Sequence, residues 1–442
     1  MEEIKIPTVS VFRFIGNSIR ILKNPLPFHH QNFETLGDTF RLHLGFGSYV
    51  YFSRDAELAQ YALQKNQKNY TKSKIQTKDL AKYVGYGLLT AEGAHWQRQR
   101  KMIQPAFHKK QLVTLLDKVQ DAISTELDKI TTETPIDIFP IFNDLAFKTV
   151  VKSLFSNAVS EEKIQRLQYI TEAAQKMLVR ELRQPYFHWW FRISGTLKKH
   201  IDLTIEARDI LRHLIHTRQN SKERQDDLLD MLLDAKYEDG SSMTEQQLID
   251  EILILFTAGH ETTSNALTFT CELLARHPND QEKIYAEVLK ASNQTSTPME
   301  FISACEYTKQ VIEESMRLYP PAYFIDRLNL EEDFFKQMRI PKGSNLLFSI
   351  HEIHKHTAFW EDPTSFKPER FAENTLKYSA YYYPFGAGPR MCIGNNFAMY
   401  EMILTIADLV LRFKIEPKNT PIEILPLITL KPKNAILTFQ KR

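Results

Sequence analysis

An apolar-rich run that opens at Thr244 and stops at His277-Pro278 constrains this fold more than any other stretch of the chain. Thr244 with Gln247 three residues later has the form of a capping box, in which two side chains satisfy amides of the first helical turn. Pro278 marks the other limit, because proline cannot continue a helix interior. About 32 residues at ~1.5 Å each make a rod roughly 48 Å long. Its middle, from Ile252 to Gly259, is so apolar that it belongs inside the protein with other helices packed around it. Helical periodicity dominates residues 55–318, with loops at 83–93, 132–135, 183–185 and 237–242. Over 39–53, apolar and aromatic residues alternate around Gly45 and Gly47, which predicts a hairpin. Beyond Pro320 the pattern turns to short strands and turns, broken by one more helix over 395–413. The fold class is mainly α with small β-sheets, the β-rich parts lying at 39–53 and 320–440.

At 442 residues the chain exceeds the usual domain size, but no Pro/Gly/Ser-rich linker or shift of composition divides it. The expectation is a single domain over 1–442. Fifty-six basic against 54 acidic residues leave a formal charge of +2, which supplies no general attraction to nucleic acid. Three cysteines, Cys271, Cys305 and Cys392, cannot build a disulfide framework and suit a reducing compartment. Residues 1–27 mix charges with short apolar pieces, and no stretch approaches the ~20 residues that span a bilayer. These features predict a cytoplasmic monomer without a membrane anchor, signal peptide, internal repeat or low-complexity tract.

The chemistry concentrates in Phe385-Gly386-Ala387-Gly388-Pro389-Arg390-Met391-Cys392-Ile393-Gly394. A cysteine in a glycine-punctuated loop just ahead of a helix can present its thiolate where the helix dipole favours negative charge. The glycines permit backbone conformations and close approaches that side chains would block, so that a flat macrocycle can lie against the chain. Arg390 can meet an anionic edge of such a group. With every fixed position filled, this loop resembles the haem-ligand signature of the cytochrome P-450 family, Phe-x-x-Gly-x-Arg-x-Cys-x-Gly, of the bacterial soluble type. The resemblance implies haem b held between the long central helix and the loop, with Cys392 as the iron ligand and Phe385 and Gly388 among the residues around it.

At the middle of the long helix, Ala258-Gly259-His260-Glu261-Thr262-Thr263 interrupts the apolar run with polar groups whose burial is costly unless they have partners or work. Ala258 and Thr262 are four apart and share a face, and Gly259 lets a bulky planar group approach the backbone. A Thr hydroxyl bonding back to a carbonyl of its own helix is the plainer reading. The segment resembles the family's oxygen-activating Ala/Gly-Gly-x-Asp/Glu-Thr motif, which makes Glu261 the acid and Thr262 the hydroxyl. Cleaving the O–O bond of dioxygen needs protons delivered without flooding the site with water. An axial thiolate pushes electron density that favours the same cleavage.

Other family positions follow in order. Glu314 and Arg317, at i and i+3, resemble the Glu-x-x-Arg pair, and Pro368-Glu369-Arg370-Phe371 resembles the segment that adds Arg370 to a buried ion network. Trp96 and Arg100, one helical turn apart, resemble the clasp on the haem propionates, which need cationic partners when buried. Arg327 and Arg390 match two further propionate positions, and His95 is a weaker one. A rival reading takes His351, His354 and His356, with His29 and His30 elsewhere, as a metal site, but the spacing departs from zinc patterns and no Cys lies near.

The resemblance, spanning residues 39–413, implies a monooxygenase that hydroxylates or oxidatively O-demethylates a small organic substrate with dioxygen and two electrons. A haem-binding sensor or carrier, a peroxygenase without redox partner, and a helical scaffold without cofactor are the alternatives. The resemblance implies a lipid- or terpenoid-like substrate, with a methyl ether such as a methylated sugar as the other expectation. Tyr186-Phe187-His188-Trp189-Trp190-Phe191 either lines a channel, stacks on sugar rings, or packs the bend between two helices. Lys72, Lys74, Lys78 and Lys82 suggest a polar ligand or a solvated face. No flavin or nicotinamide fingerprint occurs, so electrons would come from a ferredoxin and an NAD(P)H-dependent ferredoxin reductase. Arg98, Arg100, Lys101, Lys109 and Lys110 form a basic cluster that could dock an acidic ferredoxin, or a solvated face.

Overall fold

The structure is a computed structural model, and it describes residues 4–45, 48–184, 187–221, 223–373, 376 and 379–442. Contacts gather into two units, each built from segments separated in sequence. One comprises Met1–Ser73, Gln310–Cys392 and Glu423–Lys433; the other comprises Lys74–Lys309, Ile393–Ile422 and Asn434–Arg442.

The first unit is organised on a six-stranded sheet in the order Thr8–Val9, Thr39–Gly45, Ser48–Ser53, Asn345–Ser349, Phe324–Asn329, Tyr70–Thr71. Its nucleus is the hairpin expected over 39–53, paired Thr39 to Ser53, Phe40 to Phe52 and Leu42 to Val50. Gly47, placed in the turn by the sequence pattern, lies outside the described residues. Alternation sends Phe40, Leu42 and Phe52 to one face, where they meet Phe28 and Phe33 of the preceding helix, Leu26–Leu36. Asn345–Ser349 joins the hairpin in parallel and Phe324–Asn329 pairs with that strand antiparallel, so strands far apart in sequence, such as Val50 beside Asn345, share one sheet.

In the second unit the central helix spans Glu245–Arg276, 32 residues. Thr244 caps it by accepting the Gln247 amide at 3.3 Å. The side chain of Gln247 does not close the expected box. Its amide oxygen accepts the Tyr237 hydroxyl at 3.1 Å and its nitrogen lies 3.2 Å from His95 Nε2, so it ties two neighbouring segments to the first turn. Ile249, Ile252 and Phe256 are buried against Phe147 and Phe155 of the helix Phe139–Phe155. The last long helix, Asn395–Arg412, ends one residue short of the expected bound because Phe413 begins a strand paired with Lys441. Two-residue strands at Tyr70–Thr71 in the first unit and Ile136–Asp137 in the second interrupt the helical bulk expected over 55–318.

Candidate active site

In the first unit, the cysteine loop is closed on itself. The Cys392 amide donates to the Phe385 carbonyl at 2.9 Å and the Met391 amide donates to Gly388 at 3.0 Å, with a short turn at Gly388–Arg390 between. Gly388 sits at φ +70, and a Cβ there would lie 2.0 Å from the Leu63 carbonyl oxygen, so that only glycine fits. Leu63 belongs to a wide helical turn, Tyr61–Lys65, that brings its carbonyl to the loop. Cys392 is exposed, whereas Cys271 and Cys305 are buried. Burial pushes the Cys305 thiol up to about 12 and that of Cys271 well above its ordinary range.

The same unit contains the ion network. Glu314 and Arg317 are fully buried and bidentate, with Nε to Oε2 at 2.7 Å and Nη2 to Oε1 at 2.8 Å. Arg317 also donates to the carbonyls of His354 at 2.9 Å, Pro363 at 2.7 Å and Ser365 at 3.1 Å, and lies 5.0 Å from the centre of the Trp360 ring. Glu314 accepts the Lys367 amide at 2.9 Å, and Arg370 Nε stands 3.5 Å from it. Arg327 is buried on its strand and donates to the Asp326 carbonyl at 2.7 Å. Arg390 is half-buried in the loop turn.

The histidines of the rival metal reading have other surroundings. His29 and His354 are buried, which pushes each down to about 3, and His354 Nε2 accepts the Tyr383 amide at 2.7 Å. Burial lowers His351 well below its ordinary range; His30 pairs with Glu352 at 3.0 Å and His356 with Asp38 at 3.2 Å. Among the described residues, no three potential metal-ligating side chains converge.

In the second unit, the central helix opens at one place. Ala258 is exposed and Thr262 half-exposed in the midst of buried turns, and the Thr262 hydroxyl donates to the Ala258 carbonyl at 2.7 Å. Glu261 is buried beside them. At Gly259 the Cβ direction points at Val150, 2.9 Å away on the Phe139–Phe155 helix, so the glycine also lets these two helices pack closely. His260 turns inward, with Nδ1 2.8 Å from the Phe256 carbonyl and its ring edge-on to Phe147.

Trp96, buried, and Arg100, half-buried, stand on one helix, Gly93–Ile103. His95, on the same helix, stacks on Tyr86 with ring centres 5.3 Å apart as well as meeting Gln247. The basic cluster is partly neutralised: Arg98 pairs with Asp239 at 2.6 Å and Lys101 with Glu238, while Lys109 and Lys110 are exposed. Lys82 is bound to Glu181, which also takes the Tyr83 hydroxyl, and in the first unit Lys72 is buried rather than solvated. Among the described residues of the aromatic stretch, Phe191 is the one that is buried; Trp189 and Trp190 are more than half exposed, and Tyr186 lies outside the described residues.

The sequence reading passed over Asp250 and Glu251, which hold a loop on the central helix by accepting the amides of Tyr86 at 2.8 Å and Leu88 at 3.0 Å. Adjacent acids at the edge of an apolar run were the available signal. It likewise passed over Glu401, buried on the last long helix, where burial pushes its carboxyl well above the usual range.

A family model described as Cytochrome P450 matches residues 7–439. Cytochrome P450 4A7 of Oryctolagus cuniculus is 30% identical over 83% of this chain and 76% of its own length. Pentalenene oxygenase of Streptomyces avermitilis is 26% identical over 91% of this chain and 89% of its own. Among solved structures, a cytochrome P450DA heme domain superposes with a TM-score of 0.86 at 20% identity, covering 100% of this chain and 99% of that one, which speaks for the fold. Among the described residues no helix is long and apolar enough to cross a membrane. A family match across nearly the whole chain shows that this protein belongs to the cytochrome P450 family of haem-dependent monooxygenases.

Proposed function

We propose that Cys392 would hold the iron of haem b through its sulfur and that the enzyme hydroxylates a C–H bond of a small apolar molecule, drawing its two electrons from a separate ferredoxin and its NAD(P)H-dependent reductase. The observation that carries the assignment is the closed loop that holds Cys392 exposed while both other cysteines are buried. The opening at Ala258 and Thr262 in an otherwise buried helix fits a flat group lying against that face. Haem supplies the activation of dioxygen and the oxidation of the C–H bond.

The chain's own residues hold the group and manage protons. Cys392 would hold the haem iron through its thiolate, whose electron donation would favour the chemistry the group supplies. Thr262, with its hydroxyl at the opening, positions a proton donor, and Glu261 supplies the proton. Trp96, Arg100, Arg327 and Arg390, with His95 as a further donor, answer the propionate charges. Glu314, Arg317 and Arg370 hold the backbone of 354–367 rather than touching substrate. The balance is RH + O2 + two electrons + two protons to ROH + H2O. On a methyl ether the same step gives a hydroxymethyl ether, which collapses to an alcohol and formaldehyde. Kinship with a protein named for oxygenating pentalenene, a hydrocarbon, supports an apolar substrate.

The test is the carbon monoxide spectrum of the reduced protein. A thiolate-ligated haem shows the strongly red-shifted Soret band, and Cys392→Ser abolishes it while Cys305→Ser does not. Persistence of that band in Cys392→Ser overturns the ligand assignment. A substrate is then sought by the low-spin to high-spin shift of the haem spectrum on adding candidate ligands.

A further inference from the structure

The helix Val11–Lys23 carries more apolar surface than the protein covers. It is capped by Ser10, whose hydroxyl accepts the Arg13 amide at 3.3 Å, and no acidic residue occurs between positions 4 and 33. At 100° per residue its apolar side chains form one broad arc. Phe14 and Ile21, at one edge, are half-buried against the core of Phe28, Phe33 and Phe40. The remainder of the arc faces outward: Phe12 is 83% exposed, Ile15 60%, Ile19 71% and Leu22 37%. Single exposed apolar residues are ordinary, but four on one stripe of one helix are not. Lys23 borders the stripe and Arg13 and Arg20 stand farther round on the polar face, all three exposed. A long apolar face rimmed by cations alone matches the charge and geometry of an anionic lipid surface, in which such a helix lies flat.

We infer that the outer face of the Val11–Lys23 helix docks on an anionic lipid surface, with Phe12, Ile15, Ile19 and Leu22 entering the acyl boundary and Arg13, Arg20 and Lys23 meeting lipid phosphates. The helix lies on the membrane and does not span it, and the docking is independent of the haem chemistry.

The haem-loaded full chain is floated with phosphatidylcholine vesicles doped with phosphatidylglycerol and with pure phosphatidylcholine vesicles. Binding to the doped vesicles, weak binding to the pure ones and release by salt are expected. Removing one buried apolar side chain lowers affinity roughly tenfold or more, so Phe12→Ser with Ile19→Ser abolishes flotation while the Soret spectrum and unfolding midpoint stay unchanged. Neutralising Arg13, Arg20 and Lys23 with Gln costs about fivefold per charge on doped vesicles only. No flotation of the parent protein, or flotation indifferent to the paired Ser variant, overturns the inference. So does sedimentation showing a dimer that the paired Ser variant dissolves, because a second copy would then be what covers the face.

Discussion

Arg317→Lys isolates what a fully buried guanidinium does here. Arg317 has five N–H donors, and all five are used: two on the Glu314 carboxylate and three on the carbonyls of His354, Pro363 and Ser365. A lysine keeps the charge but offers three donors from one nitrogen, so at least two of these acceptors lose their partner. Each buried orphan costs about 1–3 kcal/mol, and breaking a buried ion pair costs about 3–5 kcal/mol, so the expected loss is about 3–5 kcal/mol. Against a net stability of about 5–15 kcal/mol that is a large share. Arg166→Lys is the matched control, because Arg166 grips Glu206 with the same two-pronged geometry, at 2.6 and 2.7 Å, but both partners are 42% exposed. An exposed pair is worth about 0–1 kcal/mol. Urea unfolding followed by tryptophan fluorescence measures both variants. If Arg317→Lys costs no more than Arg166→Lys, the reasoning from burial fails.

Three further outcomes are expected. Gly388→Ala forces a Cβ onto the Leu63 carbonyl, whereas Gly343→Ala, at a similar φ of +76 but with open space around it, meets only the left-handed penalty of about 1–2 kcal/mol; the Soret-to-protein ratio after expression falls for Gly388→Ala alone, and equal ratios would discount the close approach. Thr262→Ala removes one helical back-bond and changes stability by about 0.5 kcal/mol or less, but oxygen consumption runs ahead of product; unchanged product per oxygen removes Thr262 from proton delivery. His29 and His354 are held near 3, against 6.5 when unfolded, so below pH 6.5 the unfolded chain takes up protons the native state refuses. Stability is full above that pH and falls by up to ~1.4 kcal/mol per pH unit for each histidine as pH drops toward 3. The slope of unfolding free energy between pH 7.5 and 5 measures this, and because buried His351 is lowered as well, it should fall by about a third in His29→Leu.

What was legible in the sequence was local. Thr244 and Pro278 bound the central helix because caps and breakers act within a turn of themselves, and both ends stand where those residues put them. The 39–53 hairpin was readable from alternation, but its parallel partner Asn345–Ser349 was not, since nothing in either strand names the other. Tyr70–Thr71 is a strand solely because Asn329 and Leu328 lie beside it, and two residues carry no period. The Glu-x-x-Arg spacing placed Glu314 and Arg317 on one face, yet three of Arg317's five acceptors are backbone carbonyls, which every residue type has and which leave no mark in a sequence. Nothing in the identity of Gly259 tells that its Cβ direction meets Val150, on another helix. Trp189 and Trp190 face solvent although aromatic residues are usually counted toward a core.

The central helix also shows how far polarity inside an apolar run can be trusted as a mark of chemistry. Four of its acidic residues are buried: Asp250, Glu251, Glu261 and Glu272. A buried carboxylate must be paired, hydrogen-bonded or protonated, so burial by itself does not separate catalysis from construction. Asp250 and Glu251 accept amides of the loop at 86–88, and Asp250 also pairs with Arg208. Glu272 is gripped one turn on by Arg276 at 2.7 Å, and burial still pushes its carboxyl upward. Asp250 and Glu251 thus fasten the helix to the neighbouring loop, and Glu272, besides its pair within the helix, accepts a backbone hydrogen bond from Ile422. Glu261 differs in place rather than in burial, because it adjoins the exposed Ala258 and half-exposed Thr262, where the helix alone among its middle turns is open. The proton delivery proposed for Glu261 therefore rests on the open face beside it more than on its acidity, since such a group has to reach water or substrate.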